Sequence, residues 1–169
     1  MNVDISNAQE IEVFSKQFQW LARLPGEDNT LGKVNYQLIT ATNALGIDLN
    51  DLNSADDKLV REIHLVVDKQ VVLKFRSQDV IHSAFLPHFR VQMNCVPGLS
   101  TQFAFTPTKT TAEMQEEEGD DFEYVLLCNK ICGAAHYNMQ MNFVVETQEE
   151  YDAWIASKQT LSEKLLTQK

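Results

Sequence analysis

Two runs near the C-terminus decide how this chain folds: Phe122-Glu-Tyr-Val-Leu-Leu-Cys128 and Met139-Gln-Met-Asn-Phe-Val-Val145. Side chains alternate across a strand, so the first run lines up Phe122, Tyr124, Leu126 and Cys128 on one face. The second lines up Met139, Met141, Phe143 and Val145 in the same way. Both read as half-buried strands, and Cys128 and Met139 close the two inward rows. Working outward, short runs bounded by turn residues recur upstream. Residues 11–24 read as one strand ending at Pro25-Gly26-Glu27-Asp28-Asn29. Residues 62–67 and 71–76 flank Asp68-Lys69-Gln70 at hairpin spacing. Residues 90–93 precede a Pro97-Gly98 turn, and residues 101–105 stop before Pro107. Strands at intervals of about 8–15 residues predict an all-β fold, an antiparallel sandwich or barrel. Residues 30–55 show no sustained period and read as a long surface loop. A helix is expected only at the end, over 149–166, with Thr147 as its cap.

Composition bounds what such a domain can do. The 169 residues are 44% hydrophobic and 9% aromatic, enough to bury one core and too few for two. Fourteen Lys+Arg against twenty-four Asp+Glu give a formal net charge of -10. That sign repels phosphate backbones and excludes nucleic acid as the natural ligand, while it steers a basic partner over roughly 10 Å at 0.1 M salt. The acidic run 116–121 reads as a solvated loop that adds to this field. No apolar stretch approaches the roughly 18–20 residues of a membrane span, and the start has neither the basic nor the apolar part of a signal peptide. Three cysteines, Cys95, Cys128 and Cys132, cannot all pair within one chain and make no disulfide scaffold.

The two inward rows are joined by Asn129-Lys-Ile-Cys-Gly-Ala-Ala-His-Tyr-Asn138, so the full pattern is Cys128-x3-Cys132-x3-His136-x2-Met139. Two strand ends joined by such a loop turn four soft or borderline ligands towards one point. Two thiolates and an imidazole suit zinc as well as copper, but a thioether is a poor zinc ligand and a familiar weak axial ligand of copper. Met139 therefore favours copper. One blue-copper ion needs a single Cys, so the second invites two metals bridged by both sulfurs. A further ligand must come from elsewhere, and His82 in Asp79-Val-Ile-His-Ser83 is the best placed. His64 is read as an ordinary strand histidine, His88 as unassigned, and Cys95 as a buried thiol. Two other uses of the loop stay open: a structural zinc domain using His82, Cys128, Cys132 and His136, with Met139 in the core, and a copper-delivery domain.

These residues resemble the soluble domain of cytochrome c oxidase subunit II, which carries the dinuclear copper centre CuA on a cupredoxin β-barrel. That family's loop, Cys-x-Glu-x-Cys-x3-His-x2-Met, stands here as Cys128 to Met139. Its upstream element is matched by Val80-Ile-His82-Ser83, Pro87 and Val96-Pro97-Gly98, and its Gln-Trp-x-Trp strand by Gln17-Phe18-Gln19-Trp20. The resemblance implies a cupredoxin-like Greek-key β-barrel or sandwich over residues 11–147, a leader over 1–10 and a C-terminal helical extension over 148–169. It implies that Cys128 and Cys132 bridge two coppers, that His82 and Met139 complete one, and that His136 with the carbonyl of Lys130 completes the other. Lys130 stands where the family has a Glu whose side chain serves a magnesium or manganese ion at the border with subunit I, which puts that ion in question. Phe18 replaces the family's usual electron-input Trp and leaves Trp20 or Phe18 as candidates for that role. The implied function is electron transfer, as the input subunit of the oxidase: one electron at a time from cytochrome c to the haem of subunit I. The isolated domain is not expected to reduce oxygen. The implied location is the periplasmic side of a bacterial inner membrane, this chain being a soluble fragment of a membrane-anchored parent. Quinol-oxidase relatives lack these copper ligands and are set aside.

Overall fold

The structure is a computed structural model and describes residues 8–40 and 43–167. The strands run in chain order as β1 (Gln9–Lys16), β2 (Gln19–Leu24), β3 (Lys58–Val60), β4 (Ile63–Val66), β5 (Val71–Ser77), β6 (His82–Leu86), β7 (Val91–Cys95), β8 (Thr101–Phe105), β9 (Tyr124–Cys128) and β10 (Gln140–Glu146). They form two curled five-stranded sheets, ordered β3-β2-β1-β5-β8 and β4-β10-β9-β6-β7. The alternation read in the sequence holds: Tyr124, Leu126 and Cys128 are buried along β9, and Met141, Phe143 and Val145 along β10. These rows meet Ile11, Val13, Leu73, Phe75, Ala84 and Leu86 in one core between the sheets. The architecture is the expected all-β cupredoxin-like sandwich, but not a purely antiparallel one: β1 runs parallel to β5, and β4 runs parallel to β10.

Four local expectations are corrected. Residues 11–24 are two strands, paired through Lys16 and Gln19 around a two-residue turn at Gln17-Phe18; that turn carries none of the Gly, Asn or Pro that usually mark one. Residues 62–67 and 71–76 do not form a hairpin, because β4 and β5 lie in opposite sheets. Asp68 takes a left-handed conformation and donates its N–H to the Pro107 carbonyl, so the intervening residues turn the chain from one sheet to the other. A helix also stands outside the C-terminus: α1 (Thr111–Glu118) takes in half of the acidic run read as a loop. It has no apolar stripe to reveal it, but Thr110 and Glu113 form a reciprocal capping box, a signal present in the sequence. Finally, the C-terminal helix is two, α2 (Gln148–Ala156) and α3 (Leu161–Thr167). Thr160 bridges Lys58 on β3, and the Leu161 and Ser162 N–H groups donate to the carbonyls of Asp57 and Ala55, which fixes where α3 begins.

The segment between β2 and β3 is the expected long loop, with its own anchor. Val34 bridges Ile47, and Leu45 and Ile47 join Phe14 and Leu161 in a small second core. Of the leader expected over residues 1–10, residues 1–7 lie outside the described residues, and Gln9 already belongs to β1.

Beneath the first sheet, Arg23 is fully enclosed between two carboxylates. It donates to Glu12 and, at 2.8 Å, to Asp57, while Glu12 also receives Arg76. Burial pushes the Asp57 carboxyl up to about 6, with the Arg23 charge pulling against that rise. Removing the guanidinium would strand Asp57 without a counter-charge and leave Glu12 with Arg76 alone. Arg23→Ala is therefore expected to cost about 3–5 kcal/mol of stability, read as a lowered urea midpoint at unchanged slope.

Candidate metal centre

The site grows from strand register. Ala84 on β6 pairs with Cys128 on β9, so His82, two residues earlier on the same inward face, stands beside the end of β9. Across β9, the Cys128 N–H donates to the Met139 carbonyl at 3.1 Å and closes the loop 129–138 at its base. Asn129 N–H donates to the Ser83 carbonyl and ties the loop to β6. Within the loop, the His136, Asn138 and Met139 N–H groups bond back to Gly133, Ala135 and His136, so a tight succession of turns brings Cys132, His136 and Met139 inward.

All six positions expected as ligands converge there. The Cys128 and Cys132 sulfurs are 3.9 Å apart, far beyond a disulfide. Cys128 Sγ lies 3.8 Å from His82 Nδ1 and 3.3 Å from the Lys130 carbonyl oxygen. Cys132 Sγ lies 3.6 Å from His136 Nδ1 and 3.9 Å from Met139 Sδ. The ligand atoms of His82, Cys128 and Cys132 fall within 4.8 Å of one another, and all three residues are buried, as is Met139. His136 is half-buried, and the Lys130 side chain is exposed while its carbonyl faces the site. Burial pushes the Cys132 thiol up to about 11, and the neighbouring Cys128 sulfur adds to the rise. Two unbonded sulfurs, two imidazole nitrogens, a thioether and a carbonyl make a donor set suited to a soft, thiolate-seeking metal, and copper fits it.

A supporting layer was not legible as function. Asp79 Oδ1 accepts from His82 Nε2 at 2.9 Å, while Asp79 Oδ2 accepts the Gln17 N–H at 2.7 Å. Burial alone would raise the Asp79 carboxyl, but the Gln17 N–H, the His82 ring and the Val80 N–H outweigh it and hold it below its ordinary value. An ionised Asp79 keeps the proton on Nε2 and leaves the Nδ1 lone pair for the sulfur side. The Gln17 side-chain amide donates to the Cys132 carbonyl. The sequence signal for this layer was an Asp three residues before His82 and a Gln opening the aromatic motif.

The two aromatic candidates occupy different places. Trp20 is only 3% exposed, donates its indole N–H to the Met139 carbonyl at 3.3 Å and meets His82 edge-on. It braces the site from inside and is itself buried. Phe18 is half-buried with its ring over Gly133, where an added Cβ would come within 2.7 Å of the ring at a φ of +148°. Cys95 is buried opposite His82 on β7, with its thiol pushed up to about 11 by burial. His88 sits at the far end of β6, packed against Phe122 and Tyr124 and away from the site.

The fold is a two-sheet cupredoxin-like sandwich with Cys, His and Met side chains gathered at one end. The chain belongs to the cytochrome c oxidase subunit II family: the model of that family's periplasmic domain matches residues 10–148. The alternative cytochrome c oxidase subunit 2 of Bradyrhizobium diazoefficiens is 34% identical over 159 residues, 93% of this chain and 53% of that protein. The cytochrome c oxidase subunit 2 of Synechocystis is 30% identical over 96 residues, 57% of this chain and 26% of that protein. The chain thus spans about half, or less, of the length of these relatives. The crystal structure of the periplasmic domain of subunit II of cytochrome oxidase (CoxB) of Bradyrhizobium japonicum shares the fold, with a TM-score of 0.61 at 21% identity over 90% of this chain and 94% of that one.

Removing the Asp79 carboxylate should loosen His82 without touching a ligand. Asp79→Asn is expected to lower metal affinity about 10–100-fold, measured by chelator competition, with the far-ultraviolet circular dichroism unchanged.

Proposed function

We propose that this domain holds two copper ions between Cys128 and Cys132 and works as the electron-input module of a cytochrome c oxidase, taking electrons from a cytochrome c and passing them to the haem of subunit I. The observation that carries the reading is the unbonded sulfur pair at 3.9 Å, flanked by His82 on one side and His136 on the other. Cys128 and Cys132 would serve both ions, His82 and Met139 would complete the set for one, and His136 with the Lys130 carbonyl would complete it for the other. Bound there, a copper pair would supply a one-electron carrier.

The protein's part is to keep those ligands still and dry. Asp79 fixes the His82 tautomer, Trp20 and Cys128 share the Met139 carbonyl, and Gln17 holds the Cys132 carbonyl. Ligands fixed from outside by hydrogen bonds move little when an electron arrives, and a preorganised cage keeps that step fast. Lys130 offers no carboxylate for a second divalent ion, so the border with subunit I is proposed to lack a magnesium ligand from this position. The complete oxidase, its membrane anchor and its placement on the periplasmic side of the inner membrane belong to the same proposal.

The reading separates from the structural zinc alternative at Met139. Copper loading of the reduced domain is expected to give about two coppers per chain by elemental analysis, matching the two-ion donor set. Met139→Leu is expected to keep the metal but shift the visible spectrum and the reduction potential. One zinc per chain, and a spectrum indifferent to Met139→Leu, would favour the structural reading.

Because ligation needs thiolates, copper must displace a proton from Cys132, whose thiol holds it up to about pH 11 in the metal-free domain. Apparent copper affinity is therefore expected to fall as pH falls, by up to about tenfold per unit for each thiol proton displaced. Chelator competition at several pH values, with proton release followed by an indicator dye, checks this.

A further inference from the structure

A second cluster of ionisable groups lies away from the metal end. His64 is on β4, the edge strand of the second sheet, and all four residues of that strand are buried. Both ring nitrogens of His64 meet carboxylates: Nδ1 is 2.7 Å from Glu146 at the end of β10, and Nε2 is 2.9 Å from Glu62 just before β4. The ring also stacks on Trp154 of α2, with centroids 4.0 Å apart and planes 15° from parallel. Trp154 packs with Tyr151 on the same helix, and the Lys158 ammonium lies 5.1 Å from its ring centroid. From β1, the Gln9 amide donates to the His64 carbonyl. Tyr151, Trp154 and Ile155 pack against the main core, and the ring stack sets α2 against the face of β4.

The hydrogen-bond inventory has one consistent solution. An ionised carboxylate only accepts, and a neutral imidazole donates from one nitrogen alone. Two carboxylates facing the two nitrogens are satisfied only if both nitrogens carry protons. A cationic ring is also the form that gains most from the indole face of Trp154. Loss of one proton turns one of these contacts into a lone pair facing a carboxylate. Glu62, with half its side chain exposed, is free to swing to water, whereas Glu146 is largely enclosed.

We propose that His64 is a proton-operated latch for the C-terminal helix: in its doubly protonated form it clamps Glu62, Glu146 and Trp154 together and holds α2 against β4, and on losing a proton it loosens α2. The groups that set the latch are Glu62 beside β4, Glu146 from β10, and Tyr151, Trp154 and Lys158 from α2 and its end. Glu150 of α2 is committed to the Thr147 cap and Asp152 to Gln148. The consequence is a terminal helix whose attachment to the second sheet depends on the pH around the domain. The latch does not depend on what the metal centre holds.

Nuclear magnetic resonance of the full chain tests it. As pH rises through the titration of the His64 ring, exchange protection of the 148–156 amides, corrected for intrinsic rate, is expected to fall roughly tenfold relative to β9 and β10, the effect of losing one charge-assisted hydrogen bond. The Trp154 indole resonance should move with the same midpoint, and both should become independent of pH in His64→Gln. The latch is overturned if His64 titrates while α2 protection and the Trp154 resonance stay still. It is equally overturned if the ring keeps one charge state from about pH 5 to about pH 9.

Discussion

The structure turns on the closure between Cys128 and Met139, where the last N–H of β9 donates to the carbonyl of the residue just before β10. This one bond makes the end of a hairpin out of two strand ends and sets the size of the loop between them. It forces Cys132 and His136 back over the same end of the sandwich that β6 reaches with His82. Trp20 donates to that same carbonyl from the opposite sheet, so the closure also couples the two sheets at the metal end.

How much of this was legible depends on what kind of signal each feature leaves. The ligand loop and the two rows of β9 and β10 were readable because period-2 alternation and the types of sulfur and nitrogen ligand are both written in the residues themselves. The β4–β5 corner was not, since a run that is buried on both faces and ends in Asp68-Lys69-Gln70 looks the same whether it turns back or crosses to the other sheet. The Gln17-Phe18 turn carries no turn chemistry, and α1 has no apolar stripe. Asp79 and Gln17 act only through the tertiary fold, bringing the chain after β5 and the β1–β2 turn against the loop, and a linear reading has no access to that meeting. By contrast, the Thr-x-x-Glu boxes at Thr110, Thr147 and Thr160 mark the start of each of the three α-helices among the described residues.

Charge and apolar surface are distributed unequally between the two ends. The acidic run 116–121 precedes Tyr124, so it leaves from the end of β9 opposite Cys128, roughly 13 Å away at about 3.3 Å per residue. The net charge of -10 therefore acts on a partner as a diffuse field and not through an acidic cluster placed beside the ligands. At the metal end the most exposed large side chains are Ile131 and Tyr137, both on the ligand loop, with Val80, Ile81 and Leu99 near the neighbouring strand ends. Lys130 is the one lysine or arginine on that loop, and it is exposed. A partner that closes over the metal end of this chain meets a different surface from the one the overall composition suggests.

The central claim is that Cys128 and Cys132 bridge two coppers that share one electron. Electron paramagnetic resonance of the copper-loaded domain reads this directly, because an electron shared equally over two copper nuclei splits its signal differently from one held on a single nucleus. The account predicts a seven-line parallel hyperfine pattern that is lost when either cysteine is replaced by serine. A four-line pattern from one copper per chain would contradict it.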